Sequence, residues 1–210
     1  MYFLFFSQLY LFTKNFTFKI AEFWSRTVMF MMKFILRIDY EILGRENIPK
    51  APFIIASNHQ SAWETFFFPI LFRKSIFILK SELKRIPIFR NYFKKLGFIY
   101  VEKEHPIKSL KNLLINSKKS VSSGVNSIII FPEGTRVSPG EKKELSTGVG
   151  ALYKNLKIPV LPIRHNSGEY WINKKFVKKK GKIIINIHKP IFPGIKNDVL
   201  MKKLKEIYTS

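Results

Sequence analysis

Residues 53–64 read FIIASNHQSAWE. Phe53, Ile54, Ile55 and Ala56 form an unbroken apolar run, the pattern of a strand buried on both faces. The polar residues Ser57, Asn58, His59 and Gln60 end it. Ser61-Ala62-Trp63-Glu64 then fits the S-x-x-E capping box, in which Glu64 satisfies the backbone N–H of Ser61 at a helix start. The same stretch puts an imidazole five residues before a carboxylate. Helical neighbours on one face are three or four residues apart. His59 must therefore lie in the turn before the helix and meets Glu64 only if that turn folds back over the helix start. A neutral imidazole is the usual general base near pH 7, and a carboxylate commonly fixes its tautomer. From these residues alone two readings stand: a base with the group that orients it, or a capped helix with an incidental histidine.

Outward from this stretch the same alternation continues. Short apolar runs predict strands over 38–43, 76–79, 98–101, 127–131, 160–163 and 183–187. Helical spacing predicts helices over 61–72, 89–96, 107–121, 147–156 and 199–207. Strands alternating with helices predict an α/β fold, a mostly parallel sheet flanked by helices. In such sheets active groups collect at the carboxyl ends of strands. Two polar clusters stand at such ends: Asn58-His59 after 53–56, and Pro132-Glu133-Gly134-Thr135-Arg136 after 127–131.

The second cluster, FPEGTR over 131–136, has the parts of a phosphate cradle. Pro132 ends the strand and Gly134 permits a tight turn with exposed backbone N–H groups. Thr135 offers a hydroxyl and Arg136 a planar fork for phosphate. An ordinary turn with a surface arginine fits the same letters. His105, His165 and His188 read as incidental, and no two histidines have metal-ligand spacing. Ser57 and Ser61 lack a G-x-S-x-G elbow, which argues against a serine hydrolase.

The 210 residues are enough for one core, and 46% of them are hydrophobic. There is no cysteine, which excludes disulfides, thiolate zinc sites and cysteine nucleophiles. The net charge of +23 favours polyanions: nucleic acid, anionic lipid or phosphorylated substrates; a lysine-rich genome gives the same composition. The first twelve residues, MYFLFFSQLYLF, are almost wholly apolar but shorter than the ~20 residues of a spanning helix. Residues 15–36 mix aromatic, methionine and basic side chains, as interfacial helices do. The expected division is a membrane-interface helical segment over 1–36 and an α/β domain over 37–210. A hairpin packed on the protein's own core and a single tilted span are the alternatives for the first segment.

Taken together, the two clusters resemble the signatures of the glycerolipid acyltransferases. NHQSAWE resembles their His-x4-acid motif, and FPEGTR their second signature almost letter for letter. KSELKRIPIF (80–89), LGFIYVEKE (96–104), TGVGALYKNLKIPVLPI (147–163) and NSGEYW (166–171) resemble further blocks, the last as found in bacterial 1-acylglycerol-3-phosphate acyltransferases. The likeness runs in order over about 37–195. It implies that His59 takes the proton from the acceptor hydroxyl, that Glu64 holds His59 where the family usually has Asp, and that the hydroxyl attacks an acyl thioester directly. It implies that Glu133, Gly134, Thr135 and Arg136 bind the acceptor's glycerol phosphate. Where the family often has Arg after the strand at 98–101, Lys103 keeps the charge without the fork.

The implied donor is acyl-CoA or acyl carrier protein and the implied acceptor is lysophosphatidic acid, giving phosphatidic acid at an anionic membrane surface. No cofactor, metal or nucleic acid is called for. The implied location is the cell inner membrane with the active site facing the cytoplasm, where either donor is found. The rivals are transfer to another lysolipid such as a lyso-aminolipid, hydrolysis of the thioester by the same base, and a non-catalytic basic module that binds membranes or nucleic acid.

Overall fold

In the computed structural model, which describes residues 13–102, 104–173 and 175–209, seven strands form one sheet. They are β1 (Ile38–Leu43), β2 (Phe53–Ser57), β3 (Ser75–Lys80), β4 (Ile99–Val101), β5 (Ser127–Ile130), β6 (Val160–His165) and β7 (Gly181–Ile187). Their order is β1-β7-β6-β2-β5-β3-β4. The five strands from β6 to β4 are parallel; β7 is antiparallel to β6 and pairs in parallel with β1. The mostly parallel α/β sheet read from the sequence is the one that forms.

Side chains alternate across each strand, so every central strand feeds two cores. Phe53 and Ile55 join one with Phe67, Phe68, Ile129 and Leu161; Ile54 and Ala56 join the other with Ile128, Leu152, Val160 and Leu200. The first core lies under α1 (Lys14–Ile35) and α2 (Trp63–Leu71). The second lies under α4 (Pro106–Ser122), α5 (Gly148–Leu156) and α7 (Asn197–Thr209). α3 (Pro87–Leu96) precedes the edge strand β4, and the single turn α6 (Ser167–Tyr170) follows β6. Trp63, Phe67 and Phe68 on α2 are completely buried, each contributing about 1.5–3 kcal/mol by leaving water. That burial fixes the helix start on which Glu64 rides.

Helix α1 starts at Thr13, whose hydroxyl accepts from the N–H of Phe16 at 3.3 Å. Its inner stripe, including Met29 and Met32, enters the first core. Glu22 ties it to the end of α2, accepting from Arg73 Nε at 3.0 Å and from Arg26 Nη2 at 2.8 Å. The outer stripe is apolar and faces solvent: Phe23 is 72% exposed, Phe30 61% and Phe34 65%, the last two packed on each other. Lys19, Arg26 and Lys33 recur at the same seven-residue spacing and line the edge of that stripe. The interfacial pattern expected over 15–36 is therefore one continuous helix. Among the described residues no helix is long and apolar enough to cross a membrane. The apolar run over 1–12 lies outside the described residues.

Candidate active site

The two polar clusters meet at the carboxyl ends of β2 and β5, which are paired neighbours. Asn58 sets the exit from β2. Its Nδ2 donates to the carbonyl of His165 at 2.8 Å and its Oδ1 accepts the N–H of His165 at 3.0 Å. The amide thus continues the pairing of β2 with β6 by one more rung, and His59 is the next residue. Three bonds then latch the loop after β5 onto this turn. The N–H of His59 donates to Glu133 Oε2 at 2.6 Å, the N–H of Val137 to the His59 carbonyl at 2.8 Å, and Arg136 Nε to the Ser61 carbonyl at 3.1 Å.

His59 does fold back over the helix start. Its Nδ1 lies 2.8 Å from Glu64 Oε1, and its ring stacks on Phe131 with centroids 4.0 Å apart. Glu64 is completely buried, and its Oε1 also accepts the N–H groups of Gln60 and Ser61, each at 2.9 Å. Capping and orienting the histidine are therefore the work of one carboxylate oxygen. The second, Oε2, accepts the hydroxyls of Ser61 at 2.6 Å and Ser167 at 2.9 Å. Burial pushes the Glu64 carboxyl up, but the imidazoles of His165 and His59 and the Ser61 hydroxyl outweigh it and hold it well below the usual carboxylate range. An ionised Glu64 can only accept, so Nδ1 of His59 carries the proton. Nε2 lies on the far side of the ring from the carboxylate.

The structure makes more of His165 than its incidental reading allowed. It lies fully buried beneath the pair, its Nε2 3.0 Å from the Asn58 carbonyl and 4.0 Å from Glu64 Oε1. The N–H of Ser167 approaches its Nδ1 at 3.4 Å, which leaves Nε2 as the protonated nitrogen. Burial holds this imidazole below its usual range, against the pull of the Glu64 carboxylate. Asn58, His165 and Ser167 received no role from the sequence, although the block that begins at Asn166 was marked by resemblance.

In the loop after β5 the turn differs in detail from its expectation. Gly134 has φ +63, as a tight turn requires, but its own N–H closes the turn onto the Phe131 carbonyl at 2.9 Å. It therefore presents no free donor. Glu133 points inward to the backbone of His59; burial raises its carboxyl, and although the His59 N–H opposes this, the nearby charge of Glu64 adds to the rise and the carboxyl is pushed up to about 7. Thr135 is half-buried beside it, and Arg136 is exposed, with Nη1 3.3 Å from Asn173 Oδ1. Lys103 lies outside the described residues. Among the described residues no group of three or more acidic or histidine side chains could hold a metal ion.

A buried, ionised carboxylate thus stands behind a largely buried imidazole, with an arginine loop latched beside it at the ends of parallel strands. The chain belongs to the acyltransferase family, whose model matches residues 39–166, more than half of its length. It is 37% identical over 168 residues to a 1-acyl-sn-glycerol-3-phosphate acyltransferase of Pseudomonas aeruginosa, covering 80% of this chain and 65% of that protein. It is 30% identical over 175 residues to a 1-acyl-sn-glycerol-3-phosphate acyltransferase of Saccharomyces cerevisiae, covering 80% of this chain and 56% of that one. The chain thus spans less than two thirds of the length of either relative. The crystal structure of the 1-acyl-sn-glycerophosphate (LPA) acyltransferase from Thermotoga maritima has the same fold, with a TM-score of 0.76, 24% identity, and coverage of 93% of this chain and 78% of that one.

Proposed function

We propose that this protein transfers a fatty acyl group from a thioester to the free hydroxyl of 1-acylglycerol 3-phosphate, forming phosphatidic acid. The observation that carries the reading is the His59–Glu64 pair, with Nδ1 committed to a buried carboxylate and Nε2 left as the base. Nε2 takes the hydroxyl proton as the acceptor oxygen attacks the thioester carbonyl. The carbon–sulfur bond then breaks, and the thiolate recovers the proton from the imidazolium. No acyl-enzyme is needed, and the chain has no cysteine to form one.

Arg136, held through Nε to the Ser61 carbonyl, meets the acceptor phosphate with the rest of its guanidinium, beside Thr135 and Gly134, and Lys103 is a further candidate contact through its charge. Glu133 sets the His59 backbone within the same acceptor-binding loop. The donor is acyl-CoA or acyl carrier protein. Residues 1–36 form the membrane-facing segment and 37–210 the acyltransferase domain. The exposed Phe23, Phe30 and Phe34 would enter the bilayer surface while Lys19, Arg26 and Lys33 meet anionic headgroups, bringing the site to its lipid acceptor at the cytoplasmic face of the inner membrane.

The test is incubation of the purified protein in mixed micelles with a labelled acyl thioester and 1-acylglycerol 3-phosphate, beside His59→Ala. Phosphatidic acid from the unmodified protein alone supports the reading. Thioester consumption only with another lysolipid would move the substrate, and no consumption with any acceptor would reject the reaction.

A further inference from the structure

Resting on that reading, we infer that Ser167 is a positioning residue for the base: with Ser61 it holds one oxygen of Glu64 so that the other stays fixed on His59 and the two backbone N–H groups of the turn. Three oxygens form a closed set beneath the histidine. Ser61 Oγ and Ser167 Oγ lie 2.6 and 2.9 Å from Glu64 Oε2, and 2.7 Å from each other. Two hydroxyl protons serve these three contacts, so one serine shares its proton between the carboxylate and the other serine. Ser61 Oγ is meanwhile occupied as an acceptor by the Trp63 N–H at 3.0 Å. Removing Ser167 leaves Oε2 with a single hydroxyl in a site with no water-exposed surface, where an under-bonded charge is costly.

Ser167 is itself immobilised from two sides. Its N–H approaches His165 Nδ1, and the next residue, Gly168, donates its N–H to Gln60 Oε1 at 3.0 Å. Gly168 is packed so closely that a Cβ there would meet Gln60 Cβ and Pro139 at 3.0 Å. The turn α6 is thus pinned onto the histidine turn, and its serine cannot drift.

The device is matched to the length of residue 64. Aspartate is shorter by one carbon–carbon bond, about 1.5 Å. Drawn back with the shorter side chain, the oxygen that Ser167 now meets at 2.9 Å would recede from that hydroxyl. The serine therefore matters only where a glutamate occupies position 64. This gives a coupling between two residues 103 positions apart.

The experiment is a double-mutant cycle on the full chain, with kcat and both KM values measured for Ser167→Ala, Glu64→Asp and the pair, and His59→Ala as control. Ser167→Ala should lower kcat by about tenfold to a hundredfold, the loss of one hydrogen bond to a charged group, with KM values unchanged. In the Glu64→Asp background it should cost less than about twofold. Equal costs in the two backgrounds, or a wild-type kcat for Ser167→Ala, would overturn the inference. Ser167→Cys, a poor donor of similar shape, gives the same readout if the alanine variant does not fold. Activity retained by His59→Ala would instead remove the reading on which the inference rests.

Discussion

In the turn between β2 and α2, a fully buried carboxylate has donors on both oxygens, and each donor comes from a different residue or backbone position. Along α1, Phe23, Phe30 and Phe34 stand in solvent, and ties to the body among the described residues include the ion pairs of Glu22 with Arg73 and Lys33 with Asp39. Saturated hydrogen bonding selects a single geometry, because any displacement leaves a buried group unpaired. An open apolar stripe fixes no partner geometry; it needs only area. The first arrangement suits the proposed activation of one hydroxyl, and the second suits a surface as irregular as a bilayer.

The sharpest way to break this contrast is His59→Ala. Turnover should fall by at least about a hundredfold, as for loss of a general base, while vesicle binding stays unchanged. An equal loss of both properties would erase the distinction between the regions. Replacing Phe23, Phe30 and Phe34 together by Ser should do the reverse. Vesicle partition should drop by about tenfold per ring, with kcat retained on a micellar substrate; undiminished co-sedimentation with anionic vesicles would reject the interfacial face. Whole-helix deletion is a poorer test, because α1 also contributes Met29 and Met32 to the core.

Arg136→Ala should raise the acceptor KM by an amount equivalent to about 1.5–3 kcal/mol, with the donor KM unmoved. A smaller effect is expected from Glu133. Its carboxyl is raised to about 7 by burial, so its contribution to stability is complete below the unfolded value near 4.5 and is lost as pH rises through about 7. Glu133→Gln, which cannot ionise, should flatten that decline by on the order of 1–3 kcal/mol in chemical-denaturation curves taken from pH 4.5 to 8. Identical curves for the two proteins would contradict the raised carboxyl. Glu22→Ala, at a half-buried carboxylate whose arginine partners stand in solvent, should cost about 1 kcal/mol, visible as a small fall in the melting temperature.

The central strands were legible because their apolar runs are continuous, as in β2 and β5; β1, with Asp39 and Glu41 inside it, spans residues 38–43 and is ended by Gly44, as expected. The reversal of β7 was not, since parallel and antiparallel pairing leave the same period-two pattern. The pairing of His59 with Glu64 could be read because both lie within one turn of chain, as could the neighbouring FPEGTR loop through its likeness to a known signature. His165 and Ser167 escaped because their partners, Asn58 and Glu64, are more than a hundred residues away. One sequence carries no sign of such a contact. The inward aim of Glu133 was hidden for a related reason: a carboxylate in a turn reads as solvated unless the buried N–H it serves is known.

The stacking of His59 on Phe131 acquires a second meaning once the imidazole holds a proton. The ring centroids are 4.0 Å apart, within the range at which an aromatic face attracts a cation. The imidazolium formed during transfer would thus sit between the negative charge of Glu64 at its edge and the electron-rich face of Phe131 beneath it. Phe131 also begins the loop that carries Arg136. The segment assigned to hold the acceptor's phosphate would then also lower the energy of the cation that its hydroxyl creates, so that Phe131→Leu would weaken the base without touching either substrate.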